Sequence, residues 1–143
     1  MVELGRRLLI AEICRRDVTF RSACICAPNQ NPERNSFVTS CLDFVDMSVT
    51  TILWGDFNAV FDRTKDRRGS DPSVTVRESF VSLNLLFREC CAIDFWRHLH
   101  RNVHAFTWLK SAGSVFSQID LIGYPCCLSS SGISLRDCVL PFF

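Results

Sequence analysis

The sequence contains no apolar run of the roughly 18–20 residues that a membrane-spanning helix needs. It begins with MVELGRRLLIAEICRR, whose short apolar stretch is interrupted by a glutamate, so a secretory signal peptide is not predicted. It also has no internal repeat and no linker, which favours one domain over its 143 residues. We therefore expect an intracellular protein, nuclear or cytoplasmic, that makes no use of a membrane.

Two further absences exclude classes of function. No Cys-x-x-Cys motif occurs among the nine cysteines, whose adjacent or alternating spacing does not suit a zinc site. An odd number of cysteines without a signal peptide is not typical of a disulfide framework, so free thiols in a reducing compartment are expected. The net charge is only +1. This argues against tight nucleic-acid binding by the chain alone, because neutralisation of phosphates dominates such binding.

Apolar residues, in contrast, are abundant: 48% of the chain is hydrophobic and 12 residues are phenylalanine, enough to bury a core. Strand-like runs at 7–14 and 18–27 predict a β-hairpin. A helix is predicted from Asn31, a polar cap, with Pro32 at its first position. Other expected segments are a strand at 50–54, an exposed loop at 62–73, a helix at 75–91, a short strand or turn at 93–97, and strands at 105–109 and 115–123 joined by a hairpin turn.

An apolar stripe at helical spacing is predicted on each helix. The first consists of Phe37, Cys41, Phe44 and Val45, and the second of Phe80, Leu83, Phe87 and Cys90, widened by Val81, Leu85 and Leu86. The order of elements, β-β-α-β-α-β-β with antiparallel hairpins, predicts an α/β layered fold with at least one mixed sheet.

Polar side chains stand at the ends of three strand-like runs. Asp56 and Asn58, in ILWGDFNAV, are two residues apart and should point the same way, where they could hold a metal-bound water and a phosphate oxygen. Asp120, in SQIDLIG, is predicted mid-strand, a costly place for a carboxylate unless it is paired or bound. Asn29 follows Ala27-Pro28. The alternatives are a polar turn at 56–58 and a carboxylate at 120 satisfied by backbone amides.

Four segments together resemble a known superfamily. CICAPN, ILWGDFNAV, AFTW and SQIDLIGYP stand in the order and at about the spacing found in the endonuclease/exonuclease/phosphatase superfamily. The resemblance is in particular to the endonuclease domain of non-LTR (long interspersed element) retrotransposons, itself similar to apurinic/apyrimidinic endonucleases and DNase I. It covers about residues 4–125, and a weakly ordered tail is expected at 126–143. It implies a partial four-layer α/β/β/α sandwich of the DNase I-like type, without the N-terminal strands and the C-terminal strand.

The resemblance also implies roles for individual residues in the metal-dependent hydrolysis of DNA phosphodiesters. Asp56 would orient or deprotonate the attacking water, Asn58 would donate a hydrogen bond to the scissile phosphate, and Asp120 would orient the family's catalytic histidine. The implied substrate-binding positions are Asn29, Thr107 and Ser117. Mg²⁺ is the implied cofactor and DNA the implied partner, with other parts of a retrotransposon polyprotein as further partners.

Departures from the family pattern predict loss of activity. Cys26 replaces a phosphate-binding tyrosine and Gln118 replaces an arginine, while the metal-binding glutamate and the terminal Ser-Asp-His motif have no counterpart. The three histidines all precede the FTW segment, which is the wrong place for the family's general base. No metal ligand is assigned. Losing essential catalytic groups costs on the order of 10⁴–10⁶ in rate. We expect an inactive remnant of a retrotransposon endonuclease; a fragment completed by missing sequence and a non-enzymatic protein- or nucleic-acid-binding module remain open alternatives.

Overall fold

The structure is a computed structural model, and it describes residues 2–15, 18–45, 49–69, 77–110, 113 and 115–126. The strands are β1 Val2–Leu4, β2 Leu8–Arg15, β3 Val18–Cys26, β4 Thr51–Asp56, β5 Arg67–Arg68, β6 Ala92–Asp94, β7 Trp108–Leu109, β8 Phe116–Ser117 and β9 Asp120–Pro125. The helices are α1 Asn31–Cys41, α2 Arg77–Glu89 and α3 Phe95–Leu99, and a 3₁₀ turn spans Leu42–Phe44. No helix among these residues has the length and apolar character to cross a membrane.

The main sheet has six strands in the order β1-β2-β3-β4-β9-β6. The predicted hairpin of β2 and β3 is confirmed, with antiparallel pairing from Leu8↔Ile25 to Arg15↔Val18. β3 and β4 are parallel, and α1 lies between them in the chain, as a parallel connection requires. β9 then inserts between β4 and β6 and is antiparallel to both. A second, three-stranded sheet has the order β5-β8-β7.

The core lies between one face of the main sheet and the two long helices. Because side chains alternate along a strand, every second residue of β2, β3, β4 and β9 points into it. The buried sheet residues include Leu8, Ile10, Ala23, Ile25, Leu53 and Leu121, and the helices contribute Val38, Cys41, Leu83, Leu86 and Phe87. Phe57, directly after β4, is fully buried and packs edge-on against Phe87 with ring centroids 5.6 Å apart.

The helices differ from the sequence prediction in their details. Gln30, and not Asn31, is the N-cap of α1. The helix ends at Cys41, and Val45 is already extended, so Phe44 and Val45 lie beyond it, although both still pack against the core. Val38, which the predicted stripe did not include, is buried together with Cys41. Val81 does not widen the stripe of α2, since its side chain is 61% exposed. Of the predicted second helix and its stripe, residues 75 and 76 and the side chain of Phe80 lie outside the described part of the chain.

The strands differ from the sequence prediction in four places. β4 continues two residues past Trp54 and ends on Asp56. The predicted exposed loop contains the short strand β5, and the segment expected as strand or turn at 93–97 divides between β6 and α3. The predicted strand at 115–123 is two strands in different sheets, so Asp120 is the first residue of β9, and it is exposed. The expected tail lies outside the described residues from residue 127 onward.

Candidate active site

Each residue of the Gly-Asp-Phe-Asn segment at the end of β4 has its own structural role. Gly55 has φ +125°, and a Cβ there would overlap the backbone of Ile25 in β3, so only glycine fits. Asp56 closes the strand, and Phe57 anchors the next turn in the core. Asn58 has φ +49°, a left-handed conformation that asparagine tolerates better than most residues.

Asp56 and Asn58 hydrogen-bond to each other, as their two-residue spacing predicts. The Asn58 backbone N–H donates to Asp56 Oδ1 at 2.8 Å, which is an Asx turn. Asn58 Nδ2 donates to Asp56 Oδ2 at 3.2 Å and to the Ala27 carbonyl oxygen at 2.7 Å. A carboxamide has two N–H donors. Both are therefore already engaged within the protein.

Backbone hydrogen bonds bring three of the sequence segments to one edge of the main sheet. The Ala27 N–H donates to the Asp56 carbonyl oxygen at 2.7 Å, and the Phe57 N–H donates to the Ile119 carbonyl oxygen at 2.9 Å. Asp56 and Asp120 are directly opposed partners at the ends of β4 and β9. The two carboxylates that lie 64 positions apart in the chain thus face each other across one pair of strands.

Thr107 and Ser117 support the strand that carries Asp120. Thr107 Oγ1 accepts hydrogen bonds from the backbone N–H groups of Ile119 and Asp120, both at 3.1 Å. The Thr107 N–H donates to the Ser117 carbonyl oxygen at 3.0 Å, and the Ser117 side chain is buried in β8. In this structure the Thr107 hydroxyl fixes the turn before β9, and the role near a substrate phosphate stays a prediction.

A cleft of about 420 Å³ opens beside Asp56 and Asn58. Its other lining residues are Arg7, Cys26, Ala27, Pro28, Asn29, Gln30 and Glu33. Asn29, predicted from the Ala-Pro-Asn segment, therefore lies in the same cleft, whereas Thr107, Ser117 and Asp120 do not line it. Sequence reasoning missed Arg7 and Glu33 as cleft residues, because neither stands in a recognisable motif and only the packing of α1 and β2 beside β4 brings them there.

Arg34 lies beneath this cleft with its guanidinium buried. Nη1 donates to the Asn29 carbonyl oxygen at 2.8 Å, and Nη2 donates to Asn31 Oδ1 at 2.9 Å. Burial lowers the pKa of Arg34, and the nearby Asp56 carboxylate acts in the opposite direction. The arginine therefore shapes the 29–31 turn and adds positive potential behind the carboxylate.

The pKa of Asp56 is raised above its ordinary value. Burial is the largest cause, and the opposed Asp120 carboxylate adds to it; the hydrogen bonds from Asn58 and the charge of Arg34 act in the opposite direction. A raised pKa means that the folded chain binds the proton more tightly than the unfolded chain. Ionised Asp56 therefore lowers the stability of the fold, and this penalty develops as the pH rises through the folded-state pKa.

We expect Asp56→Asn to stabilise the folded chain at pH 7. The gain in the free energy of unfolding should stay below about 1 kcal/mol, because solvent screens a partly exposed carboxylate. It should vanish near about pH 3, where the carboxyl of the wild-type chain is protonated in both states. Urea denaturation at the two pH values measures this.

The matched control for this prediction is Asp62→Asn. Hydrogen bonds from the Thr64 hydroxyl and backbone lower the pKa of Asp62, so its ionised form stabilises the fold above the unfolded-state pKa. Its replacement should therefore cost stability at pH 7, the opposite sign. A loss of stability at pH 7 in Asp56→Asn would contradict the assignment of the penalty to Asp56.

The described residues do not fit a resident metal ion. Mg²⁺ requires octahedral oxygen ligands, and proteins often supply one or two carboxylates while substrate phosphates complete the shell. Asp56 accepts one hydrogen bond from Asn58 on each oxygen and keeps lone pairs for a cation, so the fit depends on further ligands nearby. Across the part of the chain that the structure describes, no three His, Cys, Asp or Glu side chains are grouped to hold a metal ion. The described side chains alone therefore do not complete a metal site.

The three histidines lie away from this cleft. His98 lines a different cavity, beside α3, and the ring of His100 contacts that of Trp96 with centroids 4.0 Å apart and planes tilted by 39°. His104 Nδ1 lies 2.9 Å from the Lys65 carbonyl oxygen. Among the described residues that line the cleft, none is therefore a histidine that could act as a general base beside Asp56.

Gln118, which replaces an arginine of the family pattern, belongs to a buried ion-pair network. Arg97, on α3, donates to the carboxylate of Asp66 and also to Gln118 Oε1 at 3.2 Å. The side chain of Asp66 is 1% exposed, and its Oδ2 accepts from the Asp62 N–H at 2.8 Å. The Gln118 N–H donates to the Asp66 carbonyl oxygen at 2.8 Å. Arg97 thus connects α3, the 62–66 turn and the segment that leads to Asp120.

Comparison with solved structures finds a similar fold in two proteins. The endonuclease domain of TRAS1, a telomere-specific non-LTR retrotransposon, matches 87% of this chain with a TM-score of 0.58 and 12% identity. The AP endonuclease LMAP from Leishmania major also matches 87% of the chain, with a TM-score of 0.60 and 14% identity. No family model and no curated protein matches the sequence.

These similarities confirm the predicted mixed α/β fold of DNase I-like type. The chain covers 52% of the TRAS1 domain and 47% of LMAP, so it spans about half the length of each of these solved structures.

Proposed function

We propose that this chain, whose fold is that of DNase I-like endonucleases, is the remnant of a retrotransposon DNA endonuclease and does not itself hydrolyse phosphodiesters. The observation that carries the proposal is the opposition of Asp56 and Asp120 at the ends of β4 and β9, beside a cleft that also contains Asn29 and Asn58. Two facing carboxylates repel each other, so stability alone does not explain why they are placed together. A site that once bound a cation and a phosphate explains why they are placed together.

The hydrogen bonds and identities of the residues in the same cleft explain why no hydrolysis is expected. Asn58 uses both amide hydrogens within the protein, so donating to a scissile phosphate would break an existing hydrogen bond. The exposed residue at the position of the phosphate-binding tyrosine is Cys26, a weak donor with a shorter reach. Asp56 is left without a histidine partner in the cleft. Among the described residues, the cleft therefore has neither a histidine that could act as general base nor the phenol of the family pattern, and Arg7 is its remaining cationic donor.

Plasmid nicking tests the proposal. The 143-residue chain, incubated with supercoiled plasmid and Mg²⁺, should convert no more plasmid to the open circle than the Asp56→Ala variant does. A loss of essential groups on the order of 10⁴–10⁶ in rate places any residual activity below detection. DNase I in the same buffer verifies that the plasmid and the metal are competent.

One result of the nicking assay would contradict the proposal. Nicking that requires Mg²⁺, exceeds the Asp56→Ala variant and survives repurification would show an active phosphodiesterase. In that case the residues present would be sufficient for catalysis, and the description of the chain as an inactive remnant would be wrong. Nicking that is equal in the two proteins would instead indicate a contaminating nuclease.

A further inference from the structure

Two cysteines lie opposite each other where β6 begins and β9 ends. The outermost pair of this antiparallel ladder is Ala92 with Pro125, so its next step brings Cys91 opposite Cys126. The Cys126 N–H donates to the Cys91 carbonyl oxygen at 2.8 Å, which continues the pairing by one hydrogen bond. Both cysteines are exposed, so a reagent in solution can reach their side chains.

The backbone spacing of such a pair suits a disulfide bond. Opposed residues that share a hydrogen bond in an antiparallel ladder have Cα atoms about 5.5 Å apart, and disulfides join Cα atoms that are about 4.4–6.8 Å apart. Cys91 has φ +48°, and its N–H donates to the Arg88 carbonyl oxygen at 2.9 Å, as in the Schellman ending of a helix. A bond from Cys91 therefore connects the end of α2 to the end of β9.

The other cysteines among the described residues are placed differently. Those on strands stand opposite residues that are not cysteines, in the pairs Cys14↔Thr19, Cys24↔Leu9 and Cys26↔Asp56. Cys41 and Cys90 are buried, and burial is the main cause that raises the pKa of both thiols to about 12. Since the thiolate is the reactive form, these two buried thiols react slowly at neutral pH.

We propose that Cys91 and Cys126 are a redox modification site, which forms an intramolecular disulfide bond on exposure to a small-molecule disulfide such as glutathione disulfide. One cysteine thiolate attacks the reagent and releases one glutathione, and the other cysteine then attacks the mixed disulfide and releases the second. The two protein sulfurs lose two electrons and two protons, and the two glutathione thiols take them up. The proposal does not depend on a nuclease ancestry.

The bond closes a loop around the segment that joins the two sheets. Residues 92–125 lie inside this loop, and they include α3, β7 and β8. A cross-link between its ends restricts the unfolded chain more than the folded one, in which the two residues already lie opposite each other. Oxidation of this pair therefore stabilises the fold, and reduction returns the chain to its lower stability.

Peptide mapping of the full chain tests the proposal. The chain is equilibrated with glutathione disulfide, its remaining thiols are alkylated, and the monomer is digested with trypsin without reduction. The peptide of residues 89–97 should then be found linked to the peptide of residues 111–136. Treatment of the same sample with a reducing agent before digestion should abolish the link.

Each of these peptides contains two adjacent cysteines, so variants identify the bonded pair. Cys91→Ser and Cys126→Ser should each lower the yield of the linked peptides at least about tenfold, because only an opposed pair has the Cα distance that a disulfide requires. Cys90→Ala and Cys127→Ser are the matched controls and should retain the link.

Urea denaturation measures the consequence of the bond. Oxidation should raise the urea midpoint by about 1–2 M in the wild-type chain and in Cys14→Ser, but not in Cys91→Ser or Cys126→Ser. Circular dichroism verifies that each variant is folded, and two independent serine variants keep the test informative if one is not. The absence of linked peptides in the wild-type monomer, a link that survives both serine variants, or an oxidised chain no more stable than the reduced one would overturn the proposal.

Discussion

Gly55→Ala is expected to destabilise the fold by about 2–6 kcal/mol, the combined cost of a strained backbone angle and of overpacking, at about 1–3 kcal/mol each. The residue has φ +125°, and a Cβ would overlap the Ile25 carbonyl oxygen in the neighbouring strand. Backbone atoms inside a paired sheet cannot move aside without loss of the β3–β4 hydrogen bonds. Urea denaturation followed by circular dichroism measures the loss.

Gly5→Ala is the matched control for this prediction. Gly5 also has a positive φ, +54°, but a Cβ there would meet no atom within 4 Å. Its replacement should therefore cost only about 1–2 kcal/mol, from the left-handed conformation alone. Equal losses in the two variants would show that strain of the backbone, and not the close approach to β3, accounts for the requirement for glycine.

Arg97→Met is expected to cost about 3–5 kcal/mol, because it leaves the buried Asp66 carboxylate without its cation. Asp66 is 1% exposed and Arg97 17%, and the guanidinium also donates to the Val103 carbonyl oxygen at 2.8 Å. The loss should appear as a lower urea midpoint. The double variant Asp66→Asn/Arg97→Met should be more stable than Arg97→Met alone, since it no longer buries an unpaired charge.

Arg88→Met provides the comparison for a surface arginine. Arg88 is 73% exposed and its ion pair is with the adjacent Glu89 at 2.8 Å. Exposed pairs contribute about 0–1 kcal/mol, so this variant should be close to wild type. The contrary results are an Arg97→Met variant that is no less stable than Arg88→Met, or a double variant that is the least stable of the three. Either result would show that the Asp66–Arg97 ion pair does not stabilise the segment between β8 and β9.

The fold could be predicted where the sequence pattern is local. β2, β3 and β4 show apolar alternation or a short apolar run bounded by charged or turn residues, and these strands were predicted within two residues of their ends. The break between β8 and β9 was not predicted, because alternation continues through Gln118 and Ile119. The chain is held there by hydrogen bonds to Thr107, Arg97, Asp66 and Phe57, all of them outside the 115–123 segment.

The candidate site, like the fold, could be predicted from local sequence only in part. Asp56 and Asn58 are neighbours in the chain, so the period of a strand is enough to bring their side chains together. The opposition of Asp56 and Asp120 was inferred from the resemblance, and its structural reason is a pairing of strands that no local pattern contains. Arg7, Glu33 and Arg34 reach the cleft region only through packing of β2 and α1, which explains why they were missed.

The position of β9 has a consequence for how the chain is synthesised. This strand occupies the interior of the main sheet, between β4 and β6, although it is the last described strand to leave the ribosome. Until residue 125 has emerged, β4 presents a bare edge that other nascent chains can pair with. Retarded elongation between residues 57 and 119 would lengthen this vulnerable interval, so the yield of soluble chain depends on translation speed as well as on final stability.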